Sequence, residues 1–328
     1  MRREGIWTAK VSLVGYSIRI RRSRTRNYLD LYRFDGNSDL FDVFNQYFSI
    51  HSTRGPNGQY AVEDVPSTDK KTISIETVRN ASRRMLEGVI RTGDYGYKTP
   101  IVNHQSKRLS YTRDTEDTEL APLYFLLYVP EKGDVPLENM GIAVFQRFRK
   151  NGLKGVFVAH FSRYFEQQFP DYTIEMIPLT PEEVISSFKK GVIKSAQLIS
   201  HSLTGDLADY YSTSDEERGR VVLVFEKGSF HRRFIDNLIK ILQHDLPIRK
   251  IIESDWISPD EIKTRVEING TEKTFTIKEE GTEITPGIDI SDDVSYGSDG
   301  FPTEQSLKRE GIKYVELLKS YLRERNEH

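Results

Sequence analysis

Cysteine is absent from the 328-residue chain. That removes disulfide staples, thiolate nucleophiles and cysteine-bound zinc together. No run approaches the roughly 18 apolar residues needed to cross a bilayer, and the opening MRREGIWTAK lacks the apolar core of a signal peptide. A cytoplasmic protein is therefore expected. A surplus of either charge is missing too: the formal net charge is −2, so any nucleic-acid footprint has to be local. No P-loop, serine-nucleophile motif or kinase signature occurs. Gly88, Gly93 and Gly96 have the spacing of tight turns between short strands, not that of a dinucleotide fingerprint followed by a helix. The histidines (His51, His104, His160, His201, His231, His244 and His328) include no pair at the spacing of a recognised metal helix or turn. No cofactor and no metal ligand set is read from the sequence, and a histidine site would have to be assembled by the fold.

What remains is a chain long enough for two domains, or one large domain with additions. Its pattern is α+β. A β-rich N-terminal lobe is expected over 1–118, a central mixed αβ domain over 119–255, and a hairpin, acidic loop and C-terminal helix over 256–328. The densest apolar stretch, Leu120 to Leu179, reads as strand, long turn, strand, helix, strand. Leu123–Val129 is a continuous apolar run bounded by Pro122 and Pro130, as in a strand covered on both faces. Met140–Phe148 alternates as a strand, and Val158, Phe161, Phe165 and Phe169 fall at helical spacing before Pro170.

In the N-terminal lobe, Trp7–Leu13 alternates as a strand that Gly15 interrupts. Ser38 is the expected cap of an amphipathic helix to Phe48. Thr72–Val78, Met85–Ile90, Lys98–Val102 and Leu109–Thr112 read as strands. Thr180, Pro181 and Glu183 mark a capped helix ending at Gly191. Strands follow at Val192–Ile199 and Val221–Phe225, with a helix over Phe230–Leu242. Asn269-Gly270 between two alternating runs signals a hairpin. From Glu279 to Asp299 acids occur without a base, and a mobile loop is expected there. The last helix carries a Leu307, Gly311, Tyr314, Leu318, Tyr321, Leu322 stripe, suited to docking on its own lobe or on a second copy.

Two local basic clusters stand out. Arg19, Arg21, Arg22, Arg24 and Arg26 lie between Gly15 and Tyr28 without a balancing acid. Guanidinium forks grip phosphate and flanking tyrosines stack on bases, although a basic edge strand that discourages aggregation would look the same. Arg147, Arg149, Lys150 and Lys154 form the second cluster. Lys154, in a glycine-flanked turn before a helix, suits a phosphate, although an ordinary solvated lysine in a strand-to-helix turn would look the same. A metal nuclease would use Glu261 and Lys263 with Asp245 or Asp255 upstream, but Ser258 and Pro259 point to a turn or helix start at that place instead of a strand.

The strand LYFLLYVP, the strand GIAVFQRF with its turn, the junction IEMIPLTPEEV, the strand GVIKSAQLIS and the hairpin IKTRVEINGTEKTFTIKEEG occur in that order ahead of a C-terminal helix. From Pro122 onward this layout resembles the RexA protein of the phage Rex exclusion system and, more loosely, the KwaB subunit of the Kiwa anti-phage system. The resemblance implies a cytoplasmic component of phage defence, of the abortive-infection type. Such a protein binds DNA with little sequence preference, forms a homodimer and works with a small membrane-protein partner. The reading is a non-catalytic, sequence-tolerant DNA-binding effector that grips phosphates through the two basic clusters, with RNA as an alternative ligand. The alternatives are a metal-dependent nuclease and a protein-interaction subunit.

Overall fold

The computed structural model describes residues 10–52, 59–66, 70–134, 137–149, 151–179, 193–200, 221–226, 230, 232–243, 245–252, 257–268, 271–280 and 283–324. The fold is α+β, with antiparallel sheet and four α-helices among the described residues. The chain sorts into two compact units, neither of them one stretch of sequence. The first gathers Ser17–Met176 with Asp292–Val315, and the second gathers 10–16, 177–291 and the end of the chain.

In the first unit the strand order begins with the second half of β1 (Val11–Arg22). It continues with β8 (Gly141–Phe148), β7 (Ala121–Tyr128), β4 (Met85–Asp94), β3 (Lys71–Ser82) and β2 (Glu63–Asp64). The apolar run read as a doubly covered strand is β7. Phe125 on one face stacks on Phe48 of helix α1 (Leu40–His51), with ring centroids 5.0 Å apart. Tyr124 on the other face lies against Gly311 of the last helix, α4 (Glu304–Glu324), where a Cβ would come within 2.8 Å of its ring. Helix α2 (Lys154–Gln168) buries Phe157, Phe161 and Phe165. Its Phe161 ring lies 4.6 Å from Phe44 and 5.0 Å from Tyr47 of α1. Each such ring pair adds about 0.5–1.5 kcal/mol beyond the area it buries. A separate hairpin is made by β5 (Thr99–Val102) and β6 (Leu109–Arg113).

The cap of α1 is Asp39, whose carboxylate accepts from Phe41 N at 2.8 Å. Ser38 is instead held by Asp35, which takes both its amide and its hydroxyl. The face of α2 is centred on Val156, Phe157, His160, Phe161, Tyr164 and Phe165, and Val158 lies off it. Gly88 is no turn residue. It sits inside β4 beside the irregularity between Ile75 and Thr77, where a Cβ would collide with the Thr77 carbonyl. β1 runs through Gly15 unbroken.

The second unit orders β12 (Val221–Glu226), β11 (Ile193–Ser200), β13 (Glu261–Ile268), β14 (Thr271–Glu280), β15 (Glu283–Asp289) and the first half of β1. Helix α3 (Arg232–Leu242) buries Leu238, Ile239, Ile241 and Leu242. The acidic stretch expected as a loop contains β15, which pairs with β14 through Phe275↔Ile288 and with β1 through Leu13↔Ile288. In the sequence Ile284, Pro286, Ile288 and Ile290 fall at every second position, a period that the surrounding acids Glu279, Glu280, Glu283, Asp289, Asp292 and Asp293 obscure. The final stripe docks within its own chain, with Leu307, Tyr314, Leu318 and Leu322 buried. The expected helix at 180–191 and the Asn269-Gly270 turn lie outside the described residues.

Candidate functional site

The five N-terminal arginines divide by what they touch. Arg19 and Arg21 brace the turn that carries the others. The Arg19 guanidinium sits 4.6 Å over the Tyr28 ring and donates to Met140 Sδ at 3.2 Å. Arg21 pairs with Glu175 at 2.6 Å, and Tyr28 donates its hydroxyl to the same carboxylate at 3.2 Å. Burial, followed by the Glu175 charge, pushes the Tyr28 phenol upward and keeps it a neutral donor. The turn closes through Thr25, whose amide and hydroxyl both donate to Arg22 O. Arg24 at its centre takes φ +67°, a left-handed conformation uncommon for a residue with a side chain. Arg22, Arg24 and Arg26 are exposed, with no ion-pair partner among the described residues. β1 pairs with both β8 and β10 (Tyr172–Pro178), so these arginines do not protect an open sheet edge.

The second cluster is not brought to this turn. Leu29 N donates to Ile20 O, Leu31 N donates to Glu138 O, and a Cβ on Gly141 would lie 3.4 Å from Ile18 Cβ. The turn therefore borders the Gly141 end of β8. Arg147 lies six residues farther along that strand, about 20 Å away. Arg147 is half-buried, and Arg149 is exposed with its guanidinium 5.5 Å over the Phe148 ring. Lys154 is the first residue of α2, half-buried, at a helix start whose N-cap, Leu153, makes no side-chain cap bond. Lys150 lies outside the described residues.

Glu261 and Lys263 sit on strand β13, not on the turn or helix start expected there. The Glu261 carboxylate is buried among ammonium groups: Lys10 Nζ at 2.7 Å, Lys278 Nζ at 2.9 Å and Lys263 Nζ at 3.9 Å. Burial alone would raise its pKa. The hydrogen bond and charge of Lys10, then those of Lys278, override that and hold the carboxyl at about 2. Burial in turn lowers the Lys10 ammonium to about 8, against the opposing pull of Glu261. A carboxylate already neutralised this way is a poor cation ligand. Asp245 is exposed and Asp255 lies outside the described residues.

A cluster that no sequence motif marks forms where α1, β2 and α2 meet in the first unit. Glu63 on β2 reaches His51 Nδ1 at 2.8 Å and His160 Nε2 at 3.3 Å. Behind His160, the Tyr47 hydroxyl bonds its Nδ1 at 2.9 Å. The two imidazole rings meet edge to face at 4.9 Å. Burial is the main cause that lowers the His160 pKa, partly opposed by Glu63 and reinforced by His51, so the ring is neutral at pH 7. The Tyr47 phenol is pushed far up by burial and then by Glu63. Side-chain exposure grades from 8% at His160 through 18% at His51 to 40% at Glu63, so the cluster opens on the Glu63 side. One ligand atom from each of His51, Glu63 and His160 lies within 4.8 Å of the others. Beside them the Tyr164 hydroxyl is buried without a hydrogen-bond partner among the described residues. Its ring centroid lies 5.9 Å from that of His51 and 5.3 Å from that of Tyr47.

Sequence reasoning misses this cluster because its members come from three elements, with Glu63 separated from His51 by 12 positions and from His160 by 97. The one signal available is His160 itself, a polar residue on the otherwise aromatic face of α2. No protein-family model, curated protein or solved structure matches the chain.

Proposed function

We propose that the protein is a non-catalytic effector that holds nucleic acid by its phosphates with little regard to sequence. The observation that carries this reading is the Arg22, Arg24, Arg26 turn: three exposed guanidinium groups within five residues, without acidic partners among the described residues, on a turn braced by Arg19 and Arg21. Guanidinium forks match phosphate oxygens bidentately. Contacts of this kind fix position on a duplex and carry no base information. The phage-defence setting, the homodimer and the small membrane-protein partner implied by the layout resemblance belong to the same proposal.

Fluorescence anisotropy of a labelled duplex, titrated at salt concentrations from about 50 to 200 mM, tests it. Three phosphate contacts give a log–log salt slope of about −2.7 on duplex DNA, and substituting Arg22→Glu, Arg24→Glu and Arg26→Glu together abolishes binding. An absence of binding at low salt, or a triple variant that binds like the parent, overturns the reading. A matched RNA duplex in the same assay decides between DNA and RNA.

A further inference from the structure

We propose that His51, Glu63 and His160 form a site for a divalent cation of the zinc class, bound by His51 Nδ1, His160 Nε2 and a Glu63 carboxylate oxygen. Two imidazoles and one carboxylate are the borderline donors such cations prefer. Ligand atoms about 2.0–2.2 Å from a tetrahedral zinc stand about 3.3 Å from one another. The structure places Glu63 oxygens 2.8 Å from His51 Nδ1 and 3.3 Å from His160 Nε2, with all three donors inside 4.8 Å. The two Glu63 contacts, one to each carboxylate oxygen, are within about half an ångström of that spacing, and side-chain rotation within the 4.8 Å envelope brings the remaining donors to it.

The surroundings of the three donors support the assignment. A metal-bound imidazole almost always donates its other N–H to an oxygen, which fixes tautomer and ring orientation. The buried Tyr47 hydroxyl already contacts His160 Nδ1 at 2.9 Å. On binding, the imidazole proton resides on Nδ1 and is donated to Tyr47 Oη, leaving the Nε2 lone pair to the cation. The second, independent observation is the Tyr164 hydroxyl. A buried polar atom without a partner calls for an explanation such as a water or an ion, and this one belongs to a ring packed on His51 and Tyr47. Three protein ligands with exposure rising toward Glu63 leave one coordination position open, which is the arrangement of zinc sites that bind water or substrate. A water held there, if it also reaches the Tyr164 hydroxyl, would give that group a partner.

Calorimetric titration of the chelator-stripped full chain with zinc, paired with cobalt(II) and visible absorption, reads the site directly. One equivalent per chain and the intense visible bands of tetrahedral cobalt are expected. His51→Ala and Glu63→Gln each lose at least tenfold in affinity, and zinc raises the melting temperature of the parent but of neither variant. Circular dichroism shows whether each variant folds. If His51→Ala does not fold, Glu63→Gln, which keeps the volume and an oxygen at a more exposed position, carries the test. The alternative is a hydrogen-bonded triad that only stabilises the fold. It predicts variants of lower melting temperature, no saturable cobalt spectrum in the parent and no zinc-dependent shift. That result, or zinc binding unaltered by Glu63→Gln, overturns the proposal.

Discussion

Glu261 and Glu63 are both carboxylates gathered in by side chains distant in sequence, yet their neighbours give them opposite chemistry. Glu261 is 5% exposed among Lys10, Lys278 and Lys263, whose charges satisfy it. Glu63 is 40% exposed and faces His51 and His160, the latter kept neutral by burial. An ammonium group has only protons to donate, whereas a neutral imidazole also carries a lone pair. The first arrangement is saturated, and the second retains capacity for a cation. Counting acids in a sequence does not separate these outcomes; the charge of the partners that the fold supplies does.

The largest expected effect breaks the saturated side of this contrast. Glu261→Ala leaves three half-buried ammonium groups without that shared counter-charge and costs about 3 kcal/mol, measurable by urea unfolding. Next comes acid. The Glu261 carboxyl is held at about 2 in the folded chain against an ordinary 4.5. Its stabilisation is therefore complete above 4.5 and is lost as pH falls toward 2, on the order of 2–3 kcal/mol. Glu261→Gln flattens that part of the stability profile. His160 responds in a different window. Its folded pKa is depressed below 6.5, so the stability it contributes is complete above that pH and declines below it, and His160→Gln removes this component.

A smaller effect sharpens the open side. Tyr47→Phe removes the contact to His160 Nδ1 and lowers zinc affinity about tenfold, while costing about 1 kcal/mol without metal. Smallest is Tyr164→Phe, which deletes a buried hydroxyl that has no partner among the described residues. Without metal it is neutral or stabilising by less than about 1 kcal/mol, and with zinc that advantage reverses. Equal thermal shifts with and without zinc would remove Tyr164 from the cation's surroundings.

How much of this was legible in the sequence depends on whether the signal is local. The uninterrupted Leu123–Val129 run is read as a strand covered on both faces, and β7 has α1 and α2 rings on one face and α4 on the other. The acidic 279–299 stretch misleads because charge hides an every-second-residue repeat, and the partner strands that make use of that repeat are not neighbours in a local window. The arginine run is visible as a run. Its division into bracing and exposed members is not, because Glu175 and Met140 come from elsewhere in the chain. The His51, Glu63, His160 cluster has a single local signal, the histidine on the buried face of α2, and the set of three is not legible because each ligand comes from a different element.

The cap of α1 bears on the order in which the first unit assembles. Asp39 holds the first turn of the helix, and Arg84, 45 positions later, grips both oxygens of that carboxylate at 2.7 and 2.8 Å while donating to Val129 O and Pro130 O. The helix start, the link between β3 and β4, and the exit from β7 thus converge on one guanidinium. Residue 84 holds this position with a left-handed backbone at φ +64°, so the clamp on the helix cap depends on the turn of a hairpin the helix does not belong to. Replacing Arg84 would loosen three junctions at once and slow refolding more than the loss of any one contact suggests.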